Sequence, residues 1–345
     1  MGKSSPQKKK IPFKLSNQLN QLLFEMGRTQ QIPLQYDDLL RFDSAIPLYD
    51  KKGEDTLWLS VAYSPSEMAE LNRELTGIYA TLKTNGDVNV MDHLQIERID
   101  YCTFGNSKPF RIKVVNSYND NHDYYYIKYA DASRIYGLEW EHILSPNRIN
   151  YIVNKQTLIE EHIVGIPGDQ FVKNNLCDSG VNEIRLAKEF VKFNERCFVR
   201  LLGDMRSYNY VIDVTPDFED TQYRIRAIDF DQQCYEGRKN LYMPQFFKEN
   251  NAYVDLCKKH LNPKSVQQYQ SEERSLISRR IKTSKYRVSQ LLNSMMRDEL
   301  STGEKTEQLK EELAEFYKNN DFLSCKNMGE LMKCCLNIVS GGIIN

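Results

Sequence analysis

No run of apolar residues in this chain approaches the roughly 20 needed to cross a bilayer as a helix, so a helical membrane protein is not expected. The eight cysteines (102, 177, 197, 234, 257, 325, 334 and 335) contain no CxxC pair, and the five histidines stand singly. That spacing argues against a zinc site and against a disulfide framework, and for reduced, mostly buried thiols. A dominant charge is missing too: 46 Lys and Arg stand against 47 Asp and Glu, a formal net charge of -1. No global field therefore draws nucleic acid or a membrane, and contact with nucleic acid would have to come through a partner. There is no internal repeat and no GxGxxG phosphate loop. The start, MGKSSPQKKKIPF, is basic with no apolar core behind it. Residues 1–14 are accordingly expected to be a disordered basic tail, and the protein cytoplasmic.

What is present is an ordinary globular composition, 41% apolar and 27% charged over 345 residues, long enough for two lobes or one core with additions. LSNQLNQLLFEMG spaces Leu15, Leu19, Leu22 and Leu23 at helical intervals. TLWLSVAY reads as a strand, and SPSEMAELNRELTGIYATLK as a helix opened by serine and proline with Glu67 in its first turn. From residue 98 the pattern becomes strand-like. PFRIKVVNSY and YYYIKYA flank the polar turn NDNHD as a hairpin, ASRIYGLEWEHILS is helical up to Pro146, and INYIVNK and TLIEEHIVGI are two further strands ended by PGD. From 181 the chain turns helical, beginning with VNEIRLAKEFVKFNERCFVRLL, whose Ala187, Phe190, Val191, Phe198 and Leu201 share a face. The basic run Arg279, Arg280, Lys282, Lys285 and Arg287 reads as a solvated helix face.

The residues that could carry chemistry lie in two polar turns beside apolar runs, LLGDMRSYNYVIDV at 201–214 and YRIRAIDFDQQ at 223–233. Asp204 precedes Asn209 in a turn leaving a long helix, which lets a carboxylate and an amide converge. Asp229 and Asp231 alternate about Phe230 and share a face if the strand persists that far. Upstream, Lys128 stands in an apolar strand, where an ammonium needs a partner. Phosphoryl transfer needs few parts: a carboxylate at the acceptor, oxygens on magnesium, a cation on the phosphates and a loop covering them. Taken singly, Asp204, Asn209, Asp229 and Asp231 read as turn or cap residues, and Lys128 equally as a lysine on the solvent face of a half-exposed strand; their joint order is what points to chemistry.

In its order of strand lysine, acidic helix, strand into a Gly/Pro hinge, long helix, GDxxxxN and IDFD, the chain resembles the protein-kinase-like fold over residues 98–260. It is closest in style to the atypical branch of HipA-like serine kinases and aminoglycoside or choline phosphotransferases. The resemblance implies an α+β, bilobal architecture with a small antiparallel-sheet N-lobe (98–168), a mostly helical C-lobe (169–345) and an added N-terminal α/β segment (15–97). It implies ATP and Mg2+ as cofactors and an unidentified protein or small-molecule hydroxyl as acceptor. Carried over, Asp204 orients or deprotonates the acceptor, Asn209 and Asp229 bind magnesium, and Asp231 is a further metal or supporting group. Lys128 meets the phosphates, steadied by Glu139 or Glu141. Glu160, Glu161, His162 and Ile163 meet adenine, and Gly105, Asn106, Ser107 and Lys108 form the covering loop. Arg206 stands where the small-molecule phosphotransferases carry histidine, and no glycine follows Phe230. The alternatives are a nucleotide-binding pseudokinase or scaffold, and an unrelated α+β binding protein.

Overall fold

A computed structural model describes residues 10–50, 52–84, 93–103, 106–178, 180–217 and 221–344. The chain forms two compact units, one of residues 1–131 with 149–162 and the other of 132–148 with 163–345. Each has its own core.

The first unit begins with α1 (Asn17–Glu25), capped by the Ser16 side chain, which accepts from the Leu19 amide. The leucine spacing does what its period requires, burying Leu19, Leu22 and Leu23. The unit's centre is a seven-stranded, wholly antiparallel sheet. Its strands are β1 (Ser44–Tyr49), β2 (Asp55–Ala62), β3 (Leu94–Cys102), β4 (Phe110–Asn116), β5 (His122–Tyr129), β6 (Tyr151–Asn154) and β7 (Thr157–Glu161), ordered β1-β2-β3-β4-β5-β7-β6. Side chains alternate across a strand, so Ile112, Val114, Tyr125 and Ile127 fall on one face. They join Leu71, Leu75, Ile78 and Leu82 of α2 (Pro65–Thr84) in a common apolar core. That helix starts at a reciprocal cap, in which the Ser64 hydroxyl and the Glu67 carboxylate each meet the other's amide. The opposite face of the sheet carries Arg111, Lys113, Tyr124, Tyr126 and Lys128.

Two expected boundaries move. The division at 97/98 falls inside β3, and β1, β2 and α2 belong to the same sheet and core as the expected N-lobe. β1 was illegible as a strand because it is an exposed edge holding Pro47, with no apolar alternation to read. Most of the expected tail, residues 1–9, lies outside the described residues, but Lys10 is buried with its ammonium 2.8 Å from Asp131.

The second boundary concerns α3 (Ala132–Leu144), expected inside the N-lobe and found in the second unit. Nearly every one of its side chains is buried, and its partners lie in that unit. Tyr136 donates to Asp298 at 2.7 Å, the Trp140 indole to the Met295 sulfur at 3.4 Å, and Ser133 to the Gln233 carbonyl at 2.5 Å. Gly137 is needed for this docking, since a Cβ there would lie 2.9 Å from that of Phe230.

Around α3 the second unit assembles α4 (Gly168–Asn174), α5 (Glu183–Val199), α6 (Asn251–His260), α7 (Pro263–Thr283), α8 (Lys285–Met295), α9 (Gly303–Tyr317) and α10 (Met328–Ser340). A three-stranded antiparallel sheet accompanies them, β8 (Ile166–Pro167), β9 (Tyr210–Pro216) and β10 (Thr221–Ala227), with β9 in the middle. α5 is the spine. Its Phe190 stacks on Tyr253 of α6 at 5.3 Å between centroids, and its buried Arg196 pairs with Glu189 at 2.6 Å and Glu273 at 3.4 Å. β8 passes into α4 at Gly168, where a Cβ would strike the Tyr210 ring at 2.4 Å. Of the basic run, Arg287 is spent on Glu139 and Arg280 donates to the Leu144 carbonyl, so the face is not uniformly solvated.

Candidate functional site

α5 ends at Arg200, and Leu201 then takes φ +53°, turning the chain sharply. The next residues run beside 232–234: the Cys234 amide donates to the Leu201 carbonyl at 2.8 Å, and the Gly203 amide to the Gln232 carbonyl at 3.2 Å. Asp204 itself has φ +55°, a left-handed conformation that costs an L residue about 1 kcal/mol or more and is held here by its amide bonding the Leu241 carbonyl at 3.0 Å. The polar turn is therefore over-determined by its neighbours. Such local strain gathers at functional sites.

Asn209 ties the two polar turns together. Its side-chain amide donates to the Asp204 carbonyl at 2.7 Å, and its own carbonyl accepts from the Ile228 amide at 3.0 Å, continuing the register in which Tyr210 faces Ala227. Asp229 follows Ile228 directly, so within this unit Asn209 joins the Asp204 turn to the residue ahead of Asp229.

Two arginines set the electrostatics. Arg206 donates from Nε to Asp204 Oδ1 at 2.8 Å and from Nη1 to Glu249 Oε1 at 2.7 Å. Burial pushes the Asp204 carboxyl above its ordinary value, and Arg206 opposes that rise without cancelling it. Arg134 of α3, fully buried, donates from Nη1 to Asp229 Oδ1 at 2.9 Å and to Asp231 Oδ1 at 2.8 Å. The Asp231 amide also bonds Asp229 Oδ1, at 3.0 Å. The two carboxylates differ in access: the Asp229 side chain is 35% exposed and that of Asp231 only 7%.

Among the described residues no three His, Cys, Asp or Glu side chains converge as a metal cluster. Magnesium does not need one, because it keeps several waters and takes one or two protein oxygens. Asp229, partly exposed, fits such a hydrated ion. Asp231 does not, because its carboxylate is buried.

The remaining expected residues fall as follows. The Lys128 ammonium is buried and sits 2.7 Å from Glu160 Oε2, where Glu139 or Glu141 was expected. Those two glutamates lie on α3 in the second unit, Glu139 on Arg287 and Glu141 on Arg200. Their helix takes part in another core, which the spacing from Lys128 does not reveal. Glu160 and Glu161 are within the β7 ladder between β5 and β6. The Glu161 carboxylate accepts from the Asn150 amide at 2.7 Å, His162 Nδ1 meets the Tyr126 hydroxyl at 3.2 Å, and Ile163 is buried. In the β3–β4 connection the Asn106 side chain accepts from the Lys10 amide, Lys108 has φ +38° with its carbonyl bonded to the Tyr36 hydroxyl, and Ser107 lies between them. Gly105 lies outside the described residues.

Sequence reasoning missed Arg134 and Glu249. Arg134 had one signal, a lone cation in the otherwise apolar start of ASRIYGL, where a buried guanidinium must find an anion.

No family model matches the chain, and no curated protein matches it. Among solved structures it is similar to one described as titin kinase and its flanking domains, at 11% identity and a TM-score of 0.27. That likeness covers 70% of this chain, which spans about half of the other, 54%. A TM-score this low carries no argument about this protein. What stands on its own is a mixed α/β chain with a seven-stranded antiparallel sheet in one unit and a largely helical second unit. No helix among the described residues is long and apolar enough to cross a membrane.

Proposed function

We propose that the chain is an ATP- and magnesium-dependent phosphotransferase of the protein-kinase-like, HipA-like kind, acting on a hydroxyl of a protein or small molecule. The observation that carries this reading is the Asn209 bridge: its side-chain amide donates to the Asp204 carbonyl at 2.7 Å, and its carbonyl accepts from the amide of Ile228, the residue before Asp229, at 3.0 Å. Asp229 and the amide oxygen of Asn209 would hold Mg2+, which supplies charge neutralisation on the phosphates when bound. Asp204 accepts the proton of the acceptor hydroxyl, and its upward-shifted carboxyl is a better base for that task than an ordinary aspartate. Arg206 fixes the Asp204 carboxylate in one orientation. Arg134 holds Asp229 from behind while leaving it partly exposed, with Asp231 as the guanidinium's second counter-ion.

The test is thermal. Millimolar ATP with magnesium should raise the melting midpoint of the wild type, by the equivalent of about 1.4 kcal/mol at tenfold excess over Kd, and Asp229→Ala should lose that gain. A wild-type melting curve indifferent to the nucleotide would sink the proposal. A second reading, nucleotide binding without turnover, draws on the same arginines, since Arg206 and Arg134 each occupy a carboxylate oxygen that catalysis would use. A stabilised wild type that transfers no labelled γ-phosphate to any acceptor would favour it.

A further inference from the structure

Away from the site just described, at the far C-terminal part of the second unit, two thiols face each other. Cys325 follows the short 3-10 turn Asn320–Ser324 and Cys334 lies on the second turn of α10, with their Sγ atoms 3.5 Å apart. Cys325 is almost wholly buried, whereas Cys334 is partly exposed. Cys335, the next residue along, is fully buried, because one step along a helix turns a side chain by about 100°. Adjacent cysteines thus have opposite surroundings, one in the core and one at its rim opposite a second thiol.

We propose that Cys334 and Cys325 form a peroxide-oxidisable dithiol, with Cys334 as the attacking and Cys325 as the resolving thiol. Closing the bridge needs an approach of the two sulfurs from 3.5 Å to about 2.05 Å. In the first step the Cys334 thiolate attacks the outer oxygen of a hydroperoxide. An S–O bond forms, the O–O bond breaks, and the leaving alkoxide or hydroxide takes a proton, so sulfur is oxidised to a sulfenic acid and the peroxide is reduced to an alcohol or water. In the second step the Cys325 sulfur displaces the sulfenic hydroxyl, its own thiol proton leaving with it as water, and the S–S bond is made.

The electrostatics agree with this division of labour. The Cys325 thiol hydrogen bond to Cys334 holds Cys334 below its ordinary value, with Lys333 assisting while burial, Asp321 and Glu330 oppose. The same bond, with burial, pushes Cys325 up. Burial pushes Cys335 well up, which leaves it a thiol under conditions where Cys334 reacts. Cys177 is exposed and serves as an internal comparison.

The full-length protein, reduced and then given a few equivalents of hydrogen peroxide, is alkylated under denaturing conditions and digested. The expected result is a dithiothreitol-reversible Cys325–Cys334 cross-link with the titratable thiols falling from eight to six, that is, eight less the two joined. Cys325→Ser should instead yield a Cys334 sulfenic acid that dimedone traps, and Cys334→Ser should leave Cys325 freely alkylatable. The proposal is overturned if both wild-type thiols stay alkylatable while Cys177 oxidises. It is equally overturned if Cys334 goes on to sulfinic acid with Cys325 still reduced.

Discussion

Arg206 follows Asp204 by two residues and donates from Nε to the Asp204 carboxylate at 2.8 Å, while its other arm reaches Glu249 at 2.7 Å. A guanidinium at this position does what an imidazole could do only when protonated, holding the carboxylate with a permanent charge.

Removing it should therefore move a titration. Asp204 is already raised by burial, with Arg206 the main opposing influence, so Arg206→Ala raises it further. If Asp204 works as a base, the acid limb of the pH–rate profile shifts to higher pH; a limb that stays in place would separate Asp204 from the chemistry. A carboxyl whose folded value lies above its unfolded value favours folding when protonated, a contribution present below the unfolded value and lost as pH rises through the folded one.

Arg134 spans Asp229 and Asp231 from the buried side of the site. Arg134→Met removes the guanidinium from the buried Asp231 carboxylate and should cost about 3–5 kcal/mol in urea unfolding. Adding Asp231→Asn should return part of that loss, since the stranded charge goes with it. Strict additivity of the two substitutions would show that the pair is not coupled.

Glu141, on the same helix, is ion-paired with Arg200 and accepts from the Asn147 amide at 3.0 Å. Burial alone would push its carboxyl up, but Arg200, Ser145 and Asn147 together outweigh it and hold it below its ordinary value. A depressed folded value contributes stability above the unfolded value, lost as pH falls through the folded one. Denaturant midpoints measured from pH 7 downward should fall in the wild type as the pH passes below the ordinary carboxylate range. Glu141→Gln should start lower, because it strands Arg200, and should lose less over that interval. Parallel wild-type and variant curves would contradict the assignment.

Much of this was legible in the chain. The Ser-Pro start marked α2 and the polar turn NDNHD the β4–β5 hairpin, while periodicity marked α1 and α5, because burial of one face imposes a period that survives in the sequence. The turns that hold Asp204, Asn209 and Asp229 were legible for a related reason: polar residues between apolar runs mark where the chain leaves a helix or a strand. β1 was not legible, being an exposed edge strand, and neither was its membership of one sheet with β3 and β4.

Local pattern thus determined the elements and the order of the polar residues, since both follow from how nearby side chains meet water or core. Only the tertiary structure decided which core a buried helix enters and which charges meet. α3 is apolar enough to pack against either unit, and a carboxylate or guanidinium has no preferred partner until packing brings one within about 3 Å. Hence Lys128 went to Glu160, Glu139 and Glu141 to Arg287 and Arg200, and Arg134, one cation in a short apolar run, to the two aspartates of IDFD.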